Sequence, residues 1–227
     1  MSEREADANR LASAALGAGD ATGWFEQLYA EARQGRAVVP WERDAPQRLL
    51  VRWAEARSPV GAGRPALVVG CGHGMDAEFV ASLGFDTTAF DISESAVRTA
   101  RERFPESSVH YRAADLLDPP AAWTGAFALV VESLTVQSLP RQLRAHASSN
   151  VGRFIAPGGT LVVVASALAS SDSPDPGPPW PLTRGEVEAF AADGGEPVAI
   201  EAVPREAPQT GHVWLAEFHR PSGSRLR

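Results

Sequence analysis

The chain has 227 residues, 44% of them hydrophobic and 22% charged, which suits one α/β domain with a modest extension. The formal net charge is −7, and the Lys+Arg count of 21 is all arginine, because the sequence contains no lysine. That absence excludes a Schiff-base lysine, a lysine general base and a phosphate-loop lysine, and an acidic chain is a poor partner for duplex nucleic acid. One cysteine, Cys71, leaves no internal disulfide and no two-cysteine metal site. No pair of histidines has metal-like spacing, so no metal is expected. Met1 to Arg10 lacks an apolar signal core and no apolar run reaches membrane-spanning length. The expectation is a cytoplasmic chain without a membrane partner, monomeric or homodimeric.

The first sixty residues read as a helical cap belonging to the same domain as the core, residues 61–227. Glu5 to Leu16 is alanine-rich and is broken at Gly17-Ala18-Gly19-Asp20. Trp24, Phe25, Leu28 and Tyr29 recur at helical spacing. Val38-Val39-Pro40-Trp41 is a short apolar stretch, and Pro46 sits early in a helix carrying Leu49, Leu50 and Trp53. A periodic pattern follows. Ala66 to Val69 is wholly apolar, as in a parallel strand buried on both faces. After a glycine loop, a helix passes through Phe79, Val80 and Leu83. Strands are predicted over Asp86 to Phe90 (ending at Asp91), Val109 to Arg112 (leading to Asp115), Phe127 to Val131 (ending at Glu132) and Leu161 to Val164. Ser93 caps a helix over Glu94 to Phe104, and another through Leu143 and Phe154 stops at the Pro157-Gly158-Gly159 turn. Ser170 to Pro181 reads as a long loop, and Thr183 caps a helix through Val187 and Phe190. Val198 to Val203 and His212 to Phe218 have only a loop between them and should pair antiparallel. Strands alternating with helices predict a mostly parallel sheet.

The loop Gly70-Cys71-Gly72-His73-Gly74 between the first strand and its helix lets backbone N–H groups approach a ligand, because a side chain there would block the way. The next strand ends at Asp91, about 20 residues on, where a carboxylate accepts hydrogen bonds from two ribose hydroxyls. Ile92 follows it. Asp115-Leu116, after the third strand, offers a carboxylate and a backbone N–H to an adenine. Together these residues describe a nucleoside site at the carboxyl edge of the sheet. The loop alone does not choose between a methyl donor and a dinucleotide, since Gly72 to Ala77 also fits a loose dinucleotide pattern. The glycine turn before the fifth strand and the antiparallel C-terminal pair favour the methyl donor. A nicotinamide oxidoreductase lacks a tyrosine-lysine pair here.

In the order glycine loop, Asp91, Asp115, Glu132, the stretch Ala66 to Ala165 resembles class I methyltransferases. Four shorter features resemble the thiopurine and halide/thiol methyltransferase group: Val39-Pro40-Trp41-Glu42, Trp24, Ser138-Leu139-Pro140 with Arg144, and Gly177-Pro178-Pro179-Trp180-Pro181-Leu182-Thr183. The resemblance implies a Rossmann-like fold with a seven-stranded, mostly parallel sheet, an antiparallel C-terminal strand and an N-terminal helical cap. It implies S-adenosylmethionine as cofactor, S-adenosylhomocysteine as product, and methyl transfer by in-line displacement to a small-molecule S, N, O or halide acceptor. A secondary-metabolite O- or N-methyltransferase is the alternative, and a cofactor-binding module without turnover a further one. The residues implied to hold the cofactor are Trp24, Trp41, Gly70, Cys71, Gly72, His73, Gly74, Asp91, Ile92, Asp115, Leu116 and Glu132. Trp24 and Trp41 are read as an aromatic lid over the sulfonium. Glu132 is the candidate to hold the methionine amino group or to take an acceptor proton. Cys71 is read as a small packing residue within the loop.

Overall fold

The structure, a computed structural model, describes residues 6–168, 178–206 and 210–222. The seven runs expected to be strands are strands: β1 (Pro65–Val69), β2 (Asp86–Asp91), β3 (His110–Ala113), β4 (Phe127–Ser133), β5 (Ile155–Ala167), β6 (Glu196–Pro204) and β7 (His212–His219). They form one sheet in the order β3-β2-β1-β4-β5-β7-β6. β1 to β5 pair in parallel, and β7 is antiparallel to both of its neighbours, β5 and β6. The expected Rossmann-like sheet is therefore present, with one feature no local pattern carries: β7 inserts between β5 and β6.

The helices are α1 (Ala6–Gly17), α2 (Gly23–Arg33), α3 (Arg48–Arg57), α4 (Met75–Ser82), α5 (Glu94–Arg103), α6 (Arg141–Arg153) and α7 (Arg184–Glu188). The period of two along the strands sorts the core into two layers. Leu67, Val69, Val130, Leu161 and Val163 face Ala147 and Val151 of α6, with Val187 and Phe190. Ala66, Val68, Leu129, Val131, Val162 and Val164 face α3, α4 and α5 through residues such as Leu50, Ala77, Val80 and Val97. Full burial of both strand faces is why these runs are continuously apolar.

α1 and α2 build a third, smaller cluster (Ala8, Leu11, Trp24, Leu28, Tyr29, Val39) that touches the core at Ala96 of α5. The cap is pinned there by polar contacts as well. Glu26 accepts from Ser93 Oγ at 2.7 Å, Ser95 Oγ at 2.6 Å and Ser95 N at 3.0 Å. Burial pushes the Glu26 carboxyl up, but the Ser95 and Ser93 hydrogen bonds together win and hold it below the usual glutamate value. α3, by contrast, lies on the sheet itself.

Two boundaries differ from expectation. β5 begins at Ile155, so Pro157-Gly158-Gly159 lies inside the strand's span as an irregularity opposite Phe127 to Leu129. Backbone bonds explain it: Gly158 N donates to Arg220 O at 2.7 Å and Arg220 N to Gly159 O at 3.0 Å. The last helix is short and passes into a 3-10 turn at Ala189–Ala191, although its start carries a full capping box between Thr183 and Glu186. Of the loop expected over Ser170 to Pro181, residues 170–177 lie outside the described residues, and so does Gly177 of the glycine-proline-proline segment. Among the described residues no helix is long and apolar enough to cross a membrane, and no group of three or more His, Cys, Asp and Glu side chains could hold a metal.

Candidate active site

In the strand order, β1 neighbours β2 on one side and β4 on the other, so the chain turns opposite ways after β1 and β4. A crevice opens at such a switch point, beyond the carboxyl ends of the strands. One cavity fills it. Its floor carries the glycine loop after β1, Phe90, Asp91 and Ile92 at the end of β2, Ala114 to Leu117 after β3, and Ser133 to Thr135 after β4. Ten of the twelve residues expected at the cofactor line it: Trp41, Gly70, Cys71, Gly72, His73, Gly74, Asp91, Ile92, Asp115 and Leu116.

The loop's shape depends on its glycines. Gly70 and Gly72 have φ of +60° and +50°, a region disfavoured for other residues. A Cβ at Gly70 would stand 2.1 Å from Thr135 Oγ1, so β1 and β4 can close on each other only around glycine. Gly72 N donates to Asp91 Oδ2 at 3.0 Å, and Ser93 N donates to Asp91 Oδ1 at 3.0 Å. Burial raises the Asp91 carboxyl, while the Ser93 and Gly72 N–H groups and His73 pull the other way; the net direction is up. Asp115 closes its own turn by accepting from Leu117 N at 2.8 Å, and Asn150 Nδ2 fixes that turn through Leu116 O at 2.8 Å. Cys71 is buried, and its thiol is pushed well above the ordinary value by burial and then by Asp91. It stays a thiol, which suits packing and not nucleophilic attack.

The roof comes from the cap. Thr22, Phe25, Tyr29, Val39, Trp41, Glu42 and Arg43 line the cavity. His73 Nδ1 lies 2.8 Å from Glu42 Oε1; a carboxylate only accepts, so Nδ1 carries the proton. Arg43 pairs with Asp76 at 3.2 Å, and Gln47 N donates to the same carboxylate at 2.6 Å. Arg43 and Asp76 escaped the sequence reading, and Glu42 entered it only within the Val39-Pro40-Trp41-Glu42 resemblance, because separations of 31 residues to His73 and 33 between Arg43 and Asp76 hide these pairings. On the β4 side, Leu134 lines the cavity with φ +63°. That left-handed backbone costs about 1 kcal/mol or more. It is held by Leu134 N donating to Val164 O at 2.9 Å and by Ser138 Oγ donating to Leu134 O at 3.0 Å.

Two expected residues stand elsewhere. Trp24 is 1% exposed and sits behind Phe25, their rings stacked at 3.9 Å. Residues four apart share a helix stripe, so Trp24 and Leu28 face α1 while Phe25 and Tyr29 face the cavity. Glu132 is fully buried and does not line the cavity. Its Oε1 accepts from Thr135 N at 2.7 Å and Val136 N at 2.9 Å, so it braces the turn after β4. Oε2 has no hydrogen-bond partner among the described residues. Burial outweighs the two N–H donors and raises the carboxyl to about 7. Below the unfolded value near 4.5 both states hold the proton and nothing is lost. As pH rises toward 7 the unfolded chain ionises first, so folding stability falls by up to about 3 kcal/mol and the loss is complete above pH 7. Glu132→Gln is expected to remove this slope. Urea unfolding of both chains between pH 5 and 8 checks it, and parallel profiles would contradict it.

Comparison with known proteins bears on what this cavity holds. Residues 66–159 match the family described as a methyltransferase domain. Over that stretch, which is less than half of the chain, the sequence is similar to methyltransferase domains. A ubiquinone biosynthesis O-methyltransferase of Thiobacillus denitrificans is 35% identical over 113 residues, which cover 49% of this chain and 47% of that protein. The match thus spans about half the length of this curated relative. The structure of Burkholderia thailandensis 1,6-didemethyltoxoflavin-N1-methyltransferase, with 1,6-didemethyltoxoflavin and S-adenosylhomocysteine bound, aligns at a TM-score of 0.67 and 16% identity, covering 94% of this chain and 91% of that one. The 4+2 cyclase SpnF aligns at 0.63 and 21% identity, covering 81% and 86%. At these identities the likeness is one of fold, and the cyclase shows that the class I fold is not confined to methyl transfer.

The residues of this chain fit the cofactor of the class I enzymes. The Asp91 carboxylate has lone pairs beyond the two taken by backbone N–H groups, as two ribose hydroxyls require. Phe90, Ile92, Leu116 and Leu117 make an apolar slot beside Asp115, suited to a purine. The open backbone at Gly72 leaves room above the loop, where a Cβ would come within 3.0 Å of Tyr29 Oη.

Proposed function

We propose that this chain transfers a methyl group from S-adenosylmethionine to a small-molecule acceptor. The observation that carries the reading is the convergence of the glycine loop, Asp91 and Asp115 on one cavity at the switch point. In this reading Asp91 binds the ribose, Asp115 and the Leu116 backbone bind the adenine, and Gly70, Cys71, Gly72, His73 and Gly74 let the rest of the cofactor lie against the loop. Trp41 closes the roof, and the N-terminal helices act as a cap within the same domain. When bound, the cofactor supplies a methyl group on a positively charged sulfur, open to an in-line nucleophile. The chain's own contribution is positioning and exclusion of water, with nucleophile and methyl carbon brought to about 3–3.5 Å.

Glu132 is walled off from the cavity, which removes the carboxylate otherwise best placed as a general base. That favours acceptors needing little base help, such as thiolates, halides, amines or already ionised phenols. The thiopurine and halide/thiol resemblance points to the first two. The wall of Phe25, Val39, Trp41, Leu134 and Leu139 favours a flat organic acceptor methylated on O or N.

Calorimetry tests the core of the reading. The wild type is expected to bind S-adenosylhomocysteine and not NAD or NADP; the reverse preference, or no binding, would overturn it. Formation of S-adenosylhomocysteine across a panel of simple thiols, iodide, phenols and aromatic amines then separates the two acceptor readings and a non-catalytic module.

A further inference from the structure

Leu134 holds a left-handed backbone, φ +63°, which a bulky side chain rarely adopts. Its neighbours fix that conformation. Leu134 N donates to Val164 O, and Leu134 O accepts from Ser138 Oγ. The next residue, Thr135, donates through N to Glu132 Oε1 at 2.7 Å and through Oγ1 to Val69 O at 3.1 Å. Glycine would take this conformation freely, and asparagine at little cost. A leucine held there points to a use for its side chain. Core packing is not that use. Leu134 is half-buried and, among the described residues, belongs to none of the three hydrophobic clusters. The other apolar side chains of the same wall do: Leu139 packs in the layer facing α6, and Phe25, Val39 and Trp41 in the cap cluster. What Leu134 lines is the cavity.

The place of this turn in the sheet says what the side chain meets. Asp115 follows β3, Asp91 ends β2 and the glycine loop follows β1, and β4 is the next strand in that order. In the methyltransferase reading, on which this inference rests, the cofactor takes the β3, β2 and β1 positions. The β4 side of the crevice is then left to the acceptor. The turn that carries Leu134 abuts the glycine loop there, since a Cβ on Gly70 would run into Thr135. A side chain at that point, attached to a backbone that four hydrogen bonds hold still, forms a wall of fixed depth. We propose that Leu134 is the specificity-determining residue of the acceptor site, its isobutyl group limiting how large a flat acceptor can be seated.

Leu134→Gly removes the whole isobutyl group, about the bulk that a second fused ring adds to an aromatic acceptor. The probes are therefore pairs: phenol and 1-naphthol, thiophenol and 1-naphthalenethiol, aniline and 1-naphthylamine. Formation of S-adenosylhomocysteine gives kcat/KM for each. Leu134→Gly is expected to raise the two-ring over one-ring ratio about 10-fold or more above that of the wild type, the lower end of what one misfitted methylene costs in an apolar pocket. Leu134→Ala keeps the backbone restraint and is expected to shift the ratio the same way by less. Both variants are expected to bind S-adenosylhomocysteine as the wild type does by calorimetry. Glycine relieves the left-handed backbone and no core contact is lost, so Leu134→Gly is expected to unfold at the wild-type Tm or above. An unchanged ratio in Leu134→Gly, a gain there with none in Leu134→Ala, or a Tm lowered by more than about 5 °C overturns the assignment, the last by marking Leu134 as a packing residue. A wild type that binds S-adenosylhomocysteine, with no chain turning over any of these acceptors, also overturns it and leaves the cofactor half of the reading standing. A wild type that does not bind S-adenosylhomocysteine overturns the methyltransferase reading and this assignment with it.

Discussion

Asp91→Ala is expected to weaken S-adenosylhomocysteine binding by roughly 100-fold or more, the largest binding effect of any single substitution in this chain. Two consequences add. In the proposed reading, two hydrogen bonds from ribose hydroxyls to a charged acceptor would be lost, each worth about 1.5–3 kcal/mol. The carboxylate also ties the glycine loop to the start of α5, because Gly72 N and Ser93 N both donate to it. Without it the loop keeps, among the described residues, only the backbone bond from Cys71 N to Phe90 O, 2.8 Å, as a tie to the end of β2. Asp91→Asn separates the two: its amide oxygen can keep one of the backbone bonds, so the fold is retained while a charged acceptor is gone. Calorimetry on both variants, with thermal unfolding alongside, reads the result. An Asp91→Ala chain that binds like the wild type would remove Asp91 from the ribose position.

Arg144→Ala is expected to destabilise the fold by about 3 kcal/mol, which lowers Tm by about 6–12 °C for a chain of this size. Arg144 is 3% exposed, and three acceptors surround its guanidinium: Leu139 O at 3.0 Å, Glu186 Oε1 at 2.9 Å and Trp180 O at 3.4 Å. Burial lowers the Arg144 value and Glu186 raises it, the burial winning. Removing the guanidinium strands a buried carbonyl and a half-buried carboxylate, the costly way to break such a pair. Glu186 retains its capping bonds to Thr183, which holds the figure near the lower end of the range for buried pairs. Because Ser138 and Leu139 line the cavity, the substitution should also loosen its β4 side while leaving the Asp91 side intact. Urea unfolding gives the stability change, and a loss below about 1 kcal/mol would mark the pair as energetically minor.

Arg144 also shows how a motif and its reason come apart. The leucine-proline and arginine pattern is visible in the chain, yet nothing local says that the arginine bridges the turn before α6, the segment at Trp180 and the cap of α7. The same division runs through the rest of the molecule. The apolar runs, Ser93 as an N-cap, the Thr183 and Glu186 capping pair, and the positions of the glycine loop, Asp91 and Asp115 are legible because they depend on neighbours within a few residues. Strand alternation, helix spacing and turn chemistry are short-range rules, and a parallel order brings the carboxyl ends of consecutive strands to one edge.

Tertiary packing decided the rest. Helical spacing placed Trp24, Phe25, Leu28 and Tyr29 on α2 but could not say which stripe meets the cavity. That depends on the angle at which the cap docks on α5, set by Glu26 with Ser93 and Ser95 and by Ala96. For Glu132, the sequence places a carboxylate at the end of β4, and only the neighbours of that strand determine that it is sealed from the cavity. The insertion of β7 beside β5 is likewise a long-range pairing without a local signal. By itself, then, the sequence determined where the chain bends, caps and opens its backbone to a nucleoside. The tertiary structure alone decided which aromatic rings and carboxylates reach that opening, because burial and approach angle belong to the whole packed assembly.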